Sequence, residues 1–108
     1  MLFYKDLYSS EKLAEKKDKI IWKLQHNAGM VGIYVITLST NGKDLFDICH
    51  SAVLMQSFYH ETDLYVVGIA NGKREAMGLV QTIVEDIYQK TGSYENMRAF
   101  LEDKECYR

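Results

Sequence analysis

Three groups of residues have the types and spacing to do chemistry, and the first surrounds a glycine-rich turn. Residues 68–73 read GIANGK and approximate a phosphate-binding loop. Such a loop needs four residues between its glycines and a serine or threonine after its lysine. Here three residues separate the glycines and Arg74 follows the lysine, so a P-loop is excluded. A simpler anion site at Asn71, Gly72, Lys73 and Arg74 stays open, because a helix beginning there would present N–H groups and positive charge.

The second group collects metal-binding residue types within 15 residues of the chain: Asp47, Cys49, His50, His60 and Glu61. Neighbours on a strand point to opposite faces, so Cys49 and His50 could not share a ligand unless the strand ended between them. The metal-binding patterns CxxC and HxxxH do not occur. A cysteine–histidine nucleophile pair would need a third, orienting residue, and the sequence offers none. We therefore predict no catalytic residue, no metal site and no cofactor.

The third group lies on a predicted helix near the N-terminus. At about 100° per residue, four lysines fall within an arc of about 60° on that helix: Lys12, Lys16, Lys19 and Lys23. Trp22 and His26 flank this stripe. An exposed indole beside a row of ammonium groups suits an acidic protein or a phosphate-bearing partner. The alternative is a solvated lysine face, with Trp22 packed beneath the N-terminal aromatic residues.

Composition limits the classes of protein to which the chain could belong. The 108 residues predict one domain over residues 1–108. A net charge of −2 argues against nucleic-acid binding by bulk charge. Two cysteines are too few for a disulfide framework, no apolar run could span a membrane, and no secretory signal is legible. These features together predict a cytoplasmic protein without membrane partners.

The elements that must position these groups are clearest around the first of them. Residues 64–70 are apolar on both alternating faces, which predicts a strand covered on both sides. The pair Asn71–Gly72 predicts a sharp turn. A helix follows from Lys73 to a glycine stop at Gly92, with an apolar stripe along one side. Gly78 weakens this helix, so we expect it to mark a close contact with the sheet.

The preceding elements follow from the same periodicities. A helix is predicted from Glu11 to Asn27, capped by Ser9 or Ser10. Residues 32–40 predict a strand that is apolar on both faces and central, joined by an Asn41–Gly42 hairpin turn to an edge strand over residues 43–50. Residues 51–59 favour a short helix over a continued strand. Residues 93–103 favour a last helix over a strand at residues 97–101.

The two central segments carry a resemblance to a known family. Residues 63–92 read DLYVVGIANGKREAMGLVQTIVEDIYQKTG and residues 34–48 read YVITLSTNGKDLFDI. This pattern resembles a family of small bacterial proteins without an established function, and the likeness extends from Leu2 to about Leu101. The resemblance implies a bacterial, cytoplasmic origin. It implies no activity, cofactor or site residue.

We therefore expect an α+β domain with a three-stranded, largely antiparallel sheet. Two long helices should pack on one face of the sheet, accompanied by a short helix and a C-terminal helix. The other face would then be poorly covered, which predicts a homodimer. The predicted function is a non-enzymatic protein-binding or regulatory module that self-associates. A small-ligand or anion binder at residues 71–74 is the alternative, and an enzyme is the third.

Overall fold

The computed structural model describes residues 2–26, 30–39, 45–55, 64–95, 97–102 and 106–107. Its strands are β1 (Leu2–Ser9), β2 (Ile33–Leu38), β3 (Phe46–His50), β4 (Tyr65–Asn71) and the two-residue β5 (Cys106–Tyr107). Its α-helices are α1 (Lys17–Gln25), α2 (Lys73–Thr91) and α3 (Met97–Glu102). Two 3₁₀ helices, Glu11–Lys16 and Ser51–Met55, precede α1 and follow β3. The predicted hairpin turn at Asn41–Gly42 and residues 56–59 lie outside the described residues.

The strands form one mixed sheet in the order β3-β2-β4-β1-β5. β2 pairs antiparallel with β3 on one side and with β4 on the other, so its predicted central position is confirmed, as is the α+β class. β1 pairs parallel with β4. The prediction of three largely antiparallel strands is therefore incomplete, because the N-terminal segment adds a fourth strand that runs parallel to its neighbour.

β1 escaped prediction because two charged residues interrupt its apolar pattern. Lys5 and Asp6 are both exposed, and the register with β4 shifts between Phe3 and Tyr8. The register shift places Lys5 and Asp6 in an irregular part of the strand, where they stay exposed while the strand continues. On either side of it, buried side chains still alternate between the two faces of the sheet, with Phe3 in one cluster and Tyr4 in the other.

The long helices lie on opposite faces of the sheet, so the prediction that both pack on one face is wrong. The first face carries the 3₁₀ helix Glu11–Lys16 and α1, which bury Leu13, Ile20 and Leu24. The second face carries α2 and α3, which bury a separate set of side chains: Ala76, Leu79, Ile83, Ile87, Met97 and Leu101. The physical reason lies in the strands, because β2 and β4 are apolar on both faces and need a cover on each.

This arrangement removes the reasoning that led to a homodimer. That prediction required one face of the sheet to lack a cover from its own chain, and helices of the described chain cover both faces. Self-association stays a prediction, but the contact between two copies would have to use a surface other than a sheet face. No helix in the described part of the chain has the length and apolar character to cross a bilayer.

α2 begins and ends where the sequence predicts. Gly72 precedes it with a φ of 99°, and the Gly72 N–H donates to the carbonyl oxygen of Gly32 at 2.8 Å. Gly92 ends the helix in the left-handed conformation, with its N–H bonded to the Tyr88 carbonyl at 2.7 Å. Gly78, however, is exposed and has open space around it, so the expected contact with the sheet is wrong. The close approach occurs at Gly68 of β4, on the strand side.

The two ambiguous segments resolve as helices where they are described. Residues Ser51–Met55 form a 3₁₀ helix, and Met97–Glu102 forms α3, so the strand alternative at residues 97–101 is wrong. α3 packs Met97 and Leu101 beneath α2. The hydroxyl of Tyr65 donates to the Leu101 carbonyl at 2.7 Å and ties α3 to β4.

Candidate functional site

A groove of about 540 Å³ lies between two helices, the 3₁₀ helix Glu11–Lys16 and α1, and the adjoining ends of β2 and β4. We call it the basic groove, because Lys16, Lys19 and Lys23 line one side of it. The other described residues that line it contribute five apolar side chains and one amide: Leu13, Ile20, Met30, Val31, Ile33 and Asn71. Ile33 and Asn71 are paired across β2 and β4, so the sheet itself brings the turn close to α1. The groove thus joins parts of two sites that the sequence predicted separately.

The four lysines of the predicted stripe do not lie on one side of the helix in the structure. Lys12 lies apart from the groove, with its Nζ 3.8 Å from Oε1 of Glu75 at the start of α2. The cause is the 3₁₀ geometry of Glu11–Lys16, which turns the chain by about 120° per residue instead of about 100°. Four residues of 3₁₀ helix rotate Lys12 well away from Lys16, whereas an α-helix would align the two side chains.

Trp22 is exposed, as the partner-binding interpretation of the stripe requires. The indole is 55% exposed and stacks on His26, with ring centroids 4.1 Å apart and an interplanar angle of 16°. The alternative placement of Trp22 beneath the N-terminal aromatic residues is wrong, because an indole packed there would be covered rather than exposed. His26 Nδ1 lies 2.8 Å from the Trp22 carbonyl oxygen, which can only accept, so Nδ1 carries the proton. This ring pair lies at the C-terminal end of α1, and neither ring lines the basic groove.

Two backbone N–H groups of the turn at residues 71–74 donate to acceptors within the chain. The Asn71 N–H donates to Oε2 of Glu75 at 3.1 Å, and the Gly72 N–H is taken by Gly32. Glu75 therefore supplies negative charge at the start of α2, where the helix dipole favours it. Lys73 and Arg74 are exposed, and of the four predicted residues only Asn71 lines the groove. Anion binding at these four residues stays a prediction.

The metal-capable residues of β3 stay apart. Cys49 packs against the core on the α1 face, whereas His50 contacts Tyr34 edge-on at 5.1 Å, and Nδ1 of His50 accepts from the Ala52 N–H at 3.0 Å. Burial raises the pKa of the Cys49 thiol, and Asp47 raises it further. This shift is opposite to the activation that a nucleophilic thiolate needs. His60 and Glu61 lie outside the described residues, and within the described ranges no three His, Cys, Asp or Glu side chains converge.

A partly buried polar contact that the sequence did not predict joins β1 to α2. The Tyr8 hydroxyl donates to Oδ2 of Asp86 at 2.6 Å, and Lys90 Nζ lies 3.2 Å from the same oxygen. The hydrogen bond from Tyr8 holds the pKa of Asp86 below its ordinary value, and Lys90 adds to this effect. Burial and the nearby carboxylate raise the pKa of Tyr8. The i,i+4 spacing of Asp86 and Lys90 is typical of an ion pair on a helix. No local pattern links the pair to Tyr8, which lies 78 residues before Asp86.

A second candidate surface lies at the β3 edge of the sheet. Among the residues described, β2 is the only neighbour of β3. The Ser39 N–H donates to the Leu45 carbonyl at 2.9 Å, and the ladder continues in that register to Tyr34 and His50. Backbone groups of an antiparallel strand alternate in direction. Asp47 and Cys49 therefore turn theirs toward β2, while the N–H groups of Phe46, Ile48 and His50 point away from the sheet.

One side of α2 extends this edge with apolar side chains. Asp86 contacts β1, which lies at the far side of the sheet from β3. Val84 is two residues from Asp86, about 200° around the helix, so it faces the β3 side. Met77 and Tyr88 share that side at helical spacing and are 59% and 40% exposed. We call the exposed edge of β3 and this side of α2 together the edge surface.

The chain matches no protein-family model, no curated protein and no solved structure. The resemblance to small bacterial proteins therefore stays a prediction, and the geometry of the two surfaces must carry the functional argument.

Proposed function

We propose that this chain is a non-enzymatic protein-binding module that self-associates through the edge surface. The observation that carries the proposal is the outward direction of the β3 backbone groups beside an exposed apolar strip of α2. Unpaired strand edges readily accept a further strand, and natural proteins commonly protect them. β1 at the opposite side is partly covered by β5, whereas β3 has no such neighbour in the described chain.

The register of β3 suits pairing with a second copy of itself. Its outward residues are Phe46, Ile48 and His50, spaced by two and centred on Ile48. In an antiparallel pair about a two-fold axis, Ile48 of each copy would face Ile48 of the other, and Phe46 would face His50. Such facing residues exchange N–H···O bonds, so the two sheets would become one. This self-complementary register is the reason to prefer a second copy over an unrelated strand.

The apolar strip of α2 would add side-chain burial to this pairing. In the two-fold arrangement the α2 helices of both copies lie on the same face of the joined sheet and approach each other. Met77 and Tyr88 would then leave water, at a gain of about 25 cal/mol for each Å² of apolar surface buried. The half-buried side chains of Phe46, Ile48 and Val84 would gain cover at the same time.

Light scattering of the purified chain over micromolar to millimolar concentration tests the proposal. The expected particle has twice the 12.5 kDa mass of one chain. Ile48→Pro should give a monomer, because it removes an outward N–H while sparing the ladder with β2. Tyr88→Glu should also give a monomer, by placing charge in the apolar strip. Gln89→Glu adds the same charge at the next, exposed position on another side of α2, and it should leave the dimer intact.

Two results would contradict the proposal. One is a wild-type chain that remains at the mass of one copy at the highest concentration. The other is a dimer that Tyr88→Glu does not weaken relative to Gln89→Glu. Because Tyr88 is a surface residue of a long helix, its variant stays informative even if Ile48→Pro fails to fold, and circular dichroism of each variant establishes that.

A further inference from the structure

The basic groove combines features that a surface lysine face alone lacks. Three ammonium groups stand above a floor that includes the buried side chains of Leu13, Ile20 and Ile33. Among the described residues that line it, none is acidic. Its volume of about 540 Å³ falls within the range typical of small-molecule sites, about 300–1,000 Å³. The groove is therefore a basic site with an apolar floor on a chain whose net charge is −2.

The mouth of the groove indicates what kind of ligand would fit. Val31 is 97% exposed and Met30 is half-buried, so apolar side chains lie open to water directly beside the lysines. The aliphatic stems of Lys16, Lys19 and Lys23 extend the apolar wall, while their ammonium groups remain available as point charges. An ion without an apolar part would use the charges only. A neutral hydrocarbon would use the floor only.

We propose that the basic groove binds a small anionic amphiphile, a carboxylate head group on an alkyl body. The head group would lie against the ammonium groups of Lys16, Lys19 and Lys23. The alkyl body would cover Leu13, Ile20 and Ile33. The head group and the alkyl body would each contact matching side chains in the groove. The attraction between carboxylate and ammonium groups favours this ligand over a neutral lipid. This site is separate from the edge surface, and its occupancy does not depend on self-association.

Titration calorimetry with dodecanoate, kept below its micelle concentration, tests the proposal. We expect saturable binding to one site per chain, with 1-dodecanol and acetate each binding at least roughly tenfold more weakly because each lacks one of the two complementary parts. The variant Lys19→Gln with Lys23→Gln should lower the affinity for dodecanoate roughly tenfold. Its matched control, Lys17→Gln with Lys73→Gln, removes two positive charges that do not line the groove and should bind as the wild type does.

A third variant places a negative charge where the proposal puts an anionic ligand. Val31→Glu places a negative charge at the mouth on an exposed side chain, so the fold should tolerate it while dodecanoate binding is lost. The proposal is overturned if the wild-type chain does not bind dodecanoate, or if acetate binds as tightly. It is also overturned if both double variants lose affinity equally, or if an acidic peptide such as oligoglutamate binds and dodecanoate does not.

Discussion

Replacing Gly78 with alanine should stabilise the protein, because this glycine serves no structural purpose in α2. It is exposed, its backbone is helical, and an added Cβ would meet nothing within 4 Å. Alanine is favoured over glycine inside a helix by about 1 kcal/mol. For a domain of about 100 residues that gain raises Tm by roughly 4–8 °C. Thermal unfolding followed by circular dichroism measures the shift directly.

The same substitution at Gly68 should have the opposite effect. A Cβ on Gly68 would lie 3.2 Å from Cδ2 of Leu79 and 3.3 Å from Cδ1 of Ile36, with Ile83 at 3.5 Å. These side chains are buried between β4 and α2, so they have little room to withdraw. Overpacking of this kind costs about 1–3 kcal/mol, and the lower chain entropy of alanine offsets up to about 1 kcal/mol. The expected net loss is about 1 kcal/mol.

The pair of glycine variants tests how closely α2 approaches β4. Equal stabilisation by Gly68→Ala and Gly78→Ala would refute the described packing, because it would mean that free space exists between helix and strand. That packing also fixes which side of α2 borders β3. The edge surface as described would then lose its basis.

Two further predictions concern the contact of Tyr8 with Asp86. Tyr8→Phe should lower the free energy of unfolding by about 1 kcal/mol, less than the roughly 1.5–3 kcal/mol typical of a hydrogen bond to a charged group, because Asp86 is partly exposed and keeps Lys90. Denaturant unfolding of Tyr8→Phe beside Tyr94→Phe, an exposed tyrosine, checks this, and equal losses would contradict it. The second prediction is a pH dependence: the folded pKa of Asp86 lies below its ordinary value of 3.8, so its contribution is present above about pH 4 and is lost as the pH falls through the folded pKa. Asp86→Asn should therefore flatten the acid side of the stability profile, and an unchanged profile would contradict the assignment.

The success of the sequence predictions depended on how local the signals were. α2 was predicted to within a residue at both ends, because Gly72 and Gly92 mark its limits and its apolar stripe is regular. The strand pattern of β2 and β4 likewise predicted their burial on both faces. β1 was missed because Lys5 and Asp6 break its alternation, and only the pairing with β4 compensates for them.

The candidate sites were less predictable, because they depend on contacts between distant segments. The helical wheel placed Lys12 in the stripe, since nothing in the sequence signals the 3₁₀ geometry of Glu11–Lys16. The floor of the basic groove includes Ile33 beside Asn71, which lie 38 residues apart and meet only in the sheet. The side of α2 that faces β3 followed from the contact of Asp86 with Tyr8, which no local pattern reveals.

Amide hydrogen exchange along β3 tests the proposed self-association most directly. In a dimer joined at this edge, the N–H groups of Ile48 and His50 gain acceptors from the second copy, whereas those of Asp47 and Cys49 are bonded to β2 in any state. We therefore predict that exchange at Ile48 and His50 slows as the protein concentration rises, while exchange at Asp47 and Cys49 stays slow throughout. Equally fast exchange at Ile48 and His50 in dilute and concentrated solution would contradict the proposal.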